Sequence, residues 1–182
     1  MTALATHLKD LIRADGPISV GEFMRIVLTG RADSYYMRGD AFGSAGDFIT
    51  APEISQIFGE LIGVWCVDVW RQLGMPERFS LVELGPGRGT LMKDALRAAR
   101  VAPAFLRAAS VVLVEVSPAL RQRQAEALAG APVASVEWFD GFAEIPEAGP
   151  LIVIANEFFD ALPVRQFVRS GGRWSERCVG LN

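Results

Sequence analysis

An apolar run, Phe79 to Val82, leads into Glu83, and glycines then stand at alternate positions: Gly85, Gly87 and Gly89. A helix-favouring segment, Leu91 to Arg100, follows directly. Strand, glycine turn and helix in that order build a ligand site at the carboxyl end of the first strand of an α/β sheet. Glycine lets the backbone take positive φ and approach a ligand closely. No other stretch constrains the fold as much.

The spacing selects among ligands. A dinucleotide turn reads G-x-G-x-x-G, with pyrophosphate at the helix N-terminus. Here the third glycine comes one residue early, and Thr90 stands where it would be. Glu83 is expected to put a negative charge beside the turn, suiting a cationic ligand better than a phosphate. E-x-G-x-G-x-G resembles the first motif of class I S-adenosylmethionine (SAM) methyltransferases.

Composition narrows the alternatives. The 182 residues suffice for one ordinary domain, and half of them are apolar, as a packed core requires. Eighteen basic against 21 acidic residues leave a net charge of −3, which argues against nucleic acid as a partner. His7 is the only histidine, so a Ser-His-Asp triad or a His-rich metal site is close to excluded, and no metal site is expected. Cys66 and Cys178 have no metal-ligand spacing and form no disulfide framework, which fits a reducing, cytoplasmic setting. Met1 to Asp15 lacks the basic flank and apolar region of a signal peptide. Ile57 to Leu73 is the most apolar long segment. It carries Glu60 and Asp68 and reads as a buried helix rather than a membrane span.

Residues 1–75 read as a mostly helical cap region and 76–182 as a Rossmann-like sheet domain. Ser19 to Glu22 forms a capping-box pattern ahead of a helix ending near Gly30. Thr50-Ala51-Pro52-Glu53 reads as a second such box, opening a helix that runs to Leu73 with Gly74 as its cap. From Phe79 strands and helices alternate: strand 80–84, helix 89–100, strand 110–115, helix 118–129, strand 133–138 and strand 151–155. The runs at 110–115 and 151–155 are continuously apolar, as parallel strands buried on both faces are. Residues 164–169 and 173–179, split by Ser170-Gly171-Gly172, read as a hairpin. A doubly wound methyltransferase sheet has more strands than this, so the fold is expected to be truncated after the fourth strand plus the hairpin.

SAM is a sulfonium cation bearing an amino acid and a ribose. Its site needs backbone donors, an acceptor for the amine and a carboxylate for the ribose diol. The turn Gly85-Gly87-Gly89 supplies the first and Glu83 the second. Glu115, closing the apolar run Val112 to Val114, is placed to accept from both ribose hydroxyls. Asp140, after the third strand, is placed for the adenine amino group, although Asp-Gly is also a common turn. After the fourth strand come Asn156, Glu157 and Asp160, where class I methyltransferases meet the methyl acceptor. Carboxylates there are suited to hold a guanidinium by bidentate hydrogen bonds. The plainer reading is a helix cap at Asn156 with surface acids behind it.

Three blocks carry a closer resemblance: Gly46-Asp47-Phe48-Ile49-Thr50-Ala51-Pro52-Glu53-Ile54-Ser55-Gln56-Ile57-Phe58-Gly59-Glu60, Glu83 to Leu91, and Asn156-Glu157-Phe158-Phe159-Asp160-Ala161-Leu162-Pro163-Val164. With them the chain resembles the MidA-like proteins, also called the complex I assembly factor 7 family of protein arginine methyltransferases. The resemblance implies a class I fold with an N-terminal helical cap and SAM as methyl donor. It also implies a protein substrate whose arginine is the acceptor, and a mitochondrial matrix location for eukaryotic relatives. From charge and hydropathy no nucleic acid or membrane partner is expected, and a homodimer stays open. It places Asp47, Phe48 and Thr50 over the cofactor and Asn156 and Glu157 facing it from the sheet. Members of the family are considerably longer. The competing readings are a non-catalytic assembly factor, a nicotinamide-dependent oxidoreductase and a small-molecule methyltransferase.

Overall fold

The structure, a computed structural model, describes residues 2–34, 50–147 and 149–181. The chain separates into two compact units, residues 42–158 and residues 1–41 with 159–182. The sequence places a boundary at 75 instead. The difference arises because the helix before that point packs on the sheet domain's own first helix and belongs with it.

The larger unit begins with α3 (Ala51–Ile54) and α4 (Gln56–Gln72), separated by Ser55 in extended backbone. The single helix expected from Thr50 to Leu73 is therefore two. Thr50 makes no side-chain cap bond, so the expected capping box is not formed there. Gly74, at φ +85, turns the chain out of α4, and Met75 N–H returns to the Trp70 carbonyl. Next come β2 (Phe79–Leu84), α5 (Thr90–Ala98), α6 (Pro103–Ala108), β3 (Ala109–Val114), α7 (Pro118–Ala127), β4 (Ser135–Phe139) and β5 (Leu151–Ile154). The strands lie within two residues of their expected bounds; α6 was not anticipated.

Among the described residues these strands form one parallel sheet in the order β4-β3-β2-β5. In chain order that is 3-2-1-4, the first half of a doubly wound sheet. The chain steps outward from β2 through β3 to β4 and then crosses back to β5 on the other side. The strand tips flanking that reversal open a crevice where such folds bind ligands.

The packing follows from the pattern. Phe79, Leu81, Val111, Leu113, Ile152 and Ile154 meet Cys66, Val67, Trp70, Leu91, Met92 and Leu96 in the main core. Trp70, Phe79 and Phe105 pack ring against ring, with Trp70 edge-on to Phe105 at 5.8 Å. A second cluster on the opposite face joins Val82, Leu84, Val112 and Val114 with Phe139, Ile145 and Phe158. Helix α4 is buried along only one stripe, Gly59, Gly63, Cys66, Val67 and Trp70. Ile57, Leu61, Val64 and Trp65 are exposed, so the expectation of a buried helix holds for one face only. No helix among the described residues is long and apolar enough to cross a membrane.

The smaller unit holds α1 (Ala3–Asp15), β1 (Ile18–Ser19), α2 (Val20–Leu28), β6 (Phe167–Ser170), β7 (Arg173–Glu176) and β8 (Cys178–Val179). Ser19 caps α2 by accepting from Glu22 N–H, as its position suggests, while the Glu22 carboxylate turns to Arg25. The hairpin β6–β7 forms. Its continuation, β8, pairs antiparallel with β1, a contact between the two ends of the chain that no local pattern announces.

Candidate functional site

The turn after β2 requires its glycines. Gly85, Gly87 and Gly89 all have left-handed backbone, with φ of +62, +55 and +81. That region costs other L-residues about 1–2 kcal/mol each. Gly85 N–H still continues the sheet by donating to the Val114 carbonyl, and Gly89 N–H closes the turn on the Pro86 carbonyl. The turn therefore hangs between the tip of β3 and the start of α5.

Glu83 differs from the charged acceptor expected beside the turn. It points into the core under α5, between Leu113 of β3 and Ile154 of β5 in register, and is 3% exposed. Met92 N–H donates to its carboxyl, but Oε2 has no partner among the described residues. Burial pushes its pKa up to about 8, so it is largely neutral at pH 7. The neighbouring Cys66 thiol is raised to about 12 by burial and by Glu83.

Glu115 stands at the tip of β3 as expected, and is held at both oxygens. Ser117 N–H donates to Oε1 at 2.8 Å and Gln124 Nε2 to Oε2 at 3.3 Å. Burial raises its pKa, opposed by these bonds and by Arg121. Ser117 also caps α7, accepting from Leu120 N–H. Asp140 follows β4 and is exposed. Its Oδ1 accepts from Arg121 at 2.6 Å, and Arg121 Nε donates to the Glu115 carbonyl at 2.7 Å. The acid expected near an adenine amino group is thus engaged in tying the tips of β3 and β4 together.

At the tip of β5, Asn156 is half-buried and Glu157 exposed. Glu157 has left-handed backbone, φ +47, unusual for a residue with a side chain. The next ring, Phe158, lies so close over Gly85 that a Cβ there would stand 2.6 Å from Phe158 Cδ2. The tip of β5 and the glycine turn are therefore in contact. Asp160 lies in a 3-10 turn, Phe159–Ala161, of the other compact unit, and is exposed. Asp47 and Phe48 fall outside the described residues. Thr50 precedes α3, which packs on α5.

Two residues join the site without having been singled out for it. Glu53 accepts from the Thr90 hydroxyl at 2.6 Å and stands 3.9 Å from Arg88, which explains why it does not fold back to cap α3. Gln124 is completely buried and donates to the Gly87 carbonyl. A buried glutamine on a helix after the second strand has no sequence signature; only its position one turn of packing from Gly89 reveals it. No cluster of His, Cys, Asp or Glu able to hold a metal occurs among the described residues.

Known proteins resemble this chain in sequence and fold. The family model described as "Putative S-adenosyl-L-methionine-dependent methyltransferase" matches residues 61–182. The mitochondrial protein arginine methyltransferase NDUFAF7 of Danio rerio is 42% identical over 99% of the chain and 47% of its own length. The Homo sapiens protein of that name is 41% identical over 100% of the chain and 46% of its own length. A COG1565 superfamily member from Burkholderia thailandensis, bound to S-adenosyl-homocysteine, superposes with a TM-score of 0.79 at 29% identity, covering 99% of this chain and 47% of its own. The chain thus spans about half the length of the relatives it matches.

Proposed function

Because this chain belongs to a family of SAM-dependent methyltransferases, we propose that it binds SAM in the crevice between β2 and β5 and forms the cofactor-binding half of a protein arginine methyltransferase. The observation that carries the cofactor assignment is the convergence at one sheet edge of three left-handed glycines, the doubly held Glu115 carboxylate and the β5 tip. These residues fit the ligand. The turn brings bare backbone to the amino-acid end, and Glu115 offers fixed acceptors to a vicinal diol. Thr50, and Asp47 and Phe48 ahead of it, are assigned to the same cofactor. Asp140 closes the adenine end through its pairing with Arg121. Glu83, buried and neutral, acts from beneath by supporting α5 rather than by meeting the amine.

The bound cofactor supplies a methyl group on a positively charged sulfur. The residues of this chain position what receives it. Methyl transfer from such a donor would be an in-line displacement, the sulfur keeping the electron pair of its broken bond as a neutral thioether and the nitrogen's proton passing to water. Orientation supplies much of such a rate. Glu157, exposed at the β5 tip, accepts hydrogen bonds from a guanidinium and turns one nitrogen toward the crevice, with Asn156 beside it. The names of the relatives support arginine of a protein as the acceptor. Asp160 is kept from the sequence as a further candidate acid for that role.

Thermal melting with S-adenosylhomocysteine tests the reading. Ligand at about 100 times Kd is expected to stabilise the fold by about 2.7 kcal/mol, and Glu115→Ala to abolish most of the shift. An unchanged melting temperature at saturating ligand would refute cofactor binding. Transfer of labelled methyl to arginine-containing protein, lost in Glu157→Ala while ligand binding persists, tests the acceptor assignment.

A further inference from the structure

Gln124 lies on α7 with no exposed surface. Its amide touches three separate elements. Nε2 donates to the Gly87 carbonyl at 2.8 Å and to Glu115 Oε2 at 3.3 Å, while Oε1 accepts from the Trp138 indole at 2.8 Å. The polarity of this network admits one orientation. An indole N–H only donates and a backbone carbonyl only accepts, so the amide oxygen faces Trp138 and the nitrogen faces the turn. Flipping the amide would set oxygen against oxygen at Gly87 and nitrogen against N–H at Trp138. The helix lies directly against the turn: a Cβ on Gly89 would stand 3.3 Å from Gln124 Cα.

The geometry points to Gln124 as a positioning residue for the ribose subsite, held in its working orientation by Trp138. This rests on the assignment of Glu115 to the ribose diol. Ser117 N–H fixes one carboxylate oxygen of Glu115 and Gln124 fixes the other, so the plane of the carboxylate is set before ligand arrives. The same amide nitrogen ties that plane to the Gly87 carbonyl, and Trp138, on β4, sets the amide. The turn after β2, the acid after β3 and the face of β4 are thereby placed relative to one another through a single side chain. Pre-organisation of this kind lowers the ordering cost of binding. Its largest benefit goes to the ligand group that Glu115 accepts from, because the turn is also held by its own backbone bonds to β3 and Pro86.

That distinction gives the test. Affinities for S-adenosylhomocysteine and for its 2′-deoxy analogue are measured by isothermal titration calorimetry on the unaltered chain, on Gln124→Met and on Trp138→Phe. The unaltered chain is expected to favour the hydroxylated ligand by about tenfold, the magnitude of one hydrogen bond to a charged group. Gln124→Met is expected to lose most of that preference, weakening S-adenosylhomocysteine while changing the analogue less than about twofold. Trp138→Phe keeps an aromatic ring and removes the donor that anchors the amide oxygen, and is expected to lose the preference in part. It carries the test alone if Gln124→Met does not fold. A preference kept intact in both folded variants, or an equal loss for both ligands, overturns the positioning role and leaves the ribose assignment standing. No preference in the unaltered chain overturns the ribose assignment and this role with it.

Discussion

The Thr90 hydroxyl, at the first position of α5, donates a 2.6 Å hydrogen bond to Glu53 Oε1 on α3. The bond links two of the blocks most distinctive in the sequence, Thr50 to Glu53 and the glycine turn. It also places Glu53 3.9 Å from Arg88, inside that turn. Glu53→Ala is expected to cost about 1–2 kcal/mol by leaving Thr90 without its acceptor. Glu53→Gln keeps a carbonyl oxygen at that place and is expected to cost less. Urea denaturation of the three proteins measures both.

Helices α4 and α5 approach closely because Gly63 has no side chain. A Cβ there would fall on the Ala95 carbonyl oxygen and stand 2.6 Å from Ala95 Cα. Both obstacles are backbone, so no rotamer change relieves them. Gly63→Ala is expected to destabilise by about 3 kcal/mol, at the upper end of ordinary overpacking. Gly171→Ala, where a Cβ meets open space but φ is +56, is expected to cost less, about 1 kcal/mol. Comparing the two by thermal melts separates steric overlap from backbone strain.

Glu83 makes stability depend on pH with a definite sign. Its pKa rises from 4.5 in a free chain to about 8 when buried, so folding takes up a proton between those values. The stability tied to the neutral acid is fully present below pH 4.5 and is lost as pH rises through about 8. The slope contributed by one such group approaches about 1.4 kcal/mol per pH unit inside that window. Glu115, also raised, acts in the same direction. Glu83→Gln is expected to flatten the fall in melting temperature between pH 5 and 8; an equally steep fall in this variant would show that Glu83 is not its source.

Glu157 combines a strained backbone with an acid assigned to the methyl acceptor. Glycine relieves left-handed strain but loses more entropy on folding, so Glu157→Gly is expected to leave stability within about 1 kcal/mol of the original, or slightly above it. Methyl transfer is expected to fall sharply in the same variant. A melt and a transfer assay on one preparation distinguish a structural residue, which would move the first, from a catalytic one, which moves the second.

The sheet was legible because its signals are short. Apolar runs from Phe79 and Ser110 mark strands buried on both faces, whereas the run from Leu151, expected to be the same, is buried on one face only: β5 ends the sheet among the described residues and leaves Leu151 and Val153 exposed. The glycines after β2 declare a turn that other residues would strain to make. Ser19 caps its helix where the pattern puts it. The second capping pattern misled because Glu53 has a better partner 37 residues away in Thr90. Glu83 misled for a related reason. A strand residue's side is set by register, and register turned this acid between Leu113 and Ile154, where charge is costly.

Residue types and spacing by themselves determined the parallel strands, the glycine turn after β2 and the acids that follow β3 and β4, since these depend on interactions spanning a few positions. Tertiary structure alone decided that Glu83 is buried and neutral, that β8 joins β1, and that Gln124 holds Glu115, Gly87 and Trp138 together. Each of those outcomes needs elements far apart in the chain to meet at one register and one distance, and a local pattern carries no record of which distant partner will arrive.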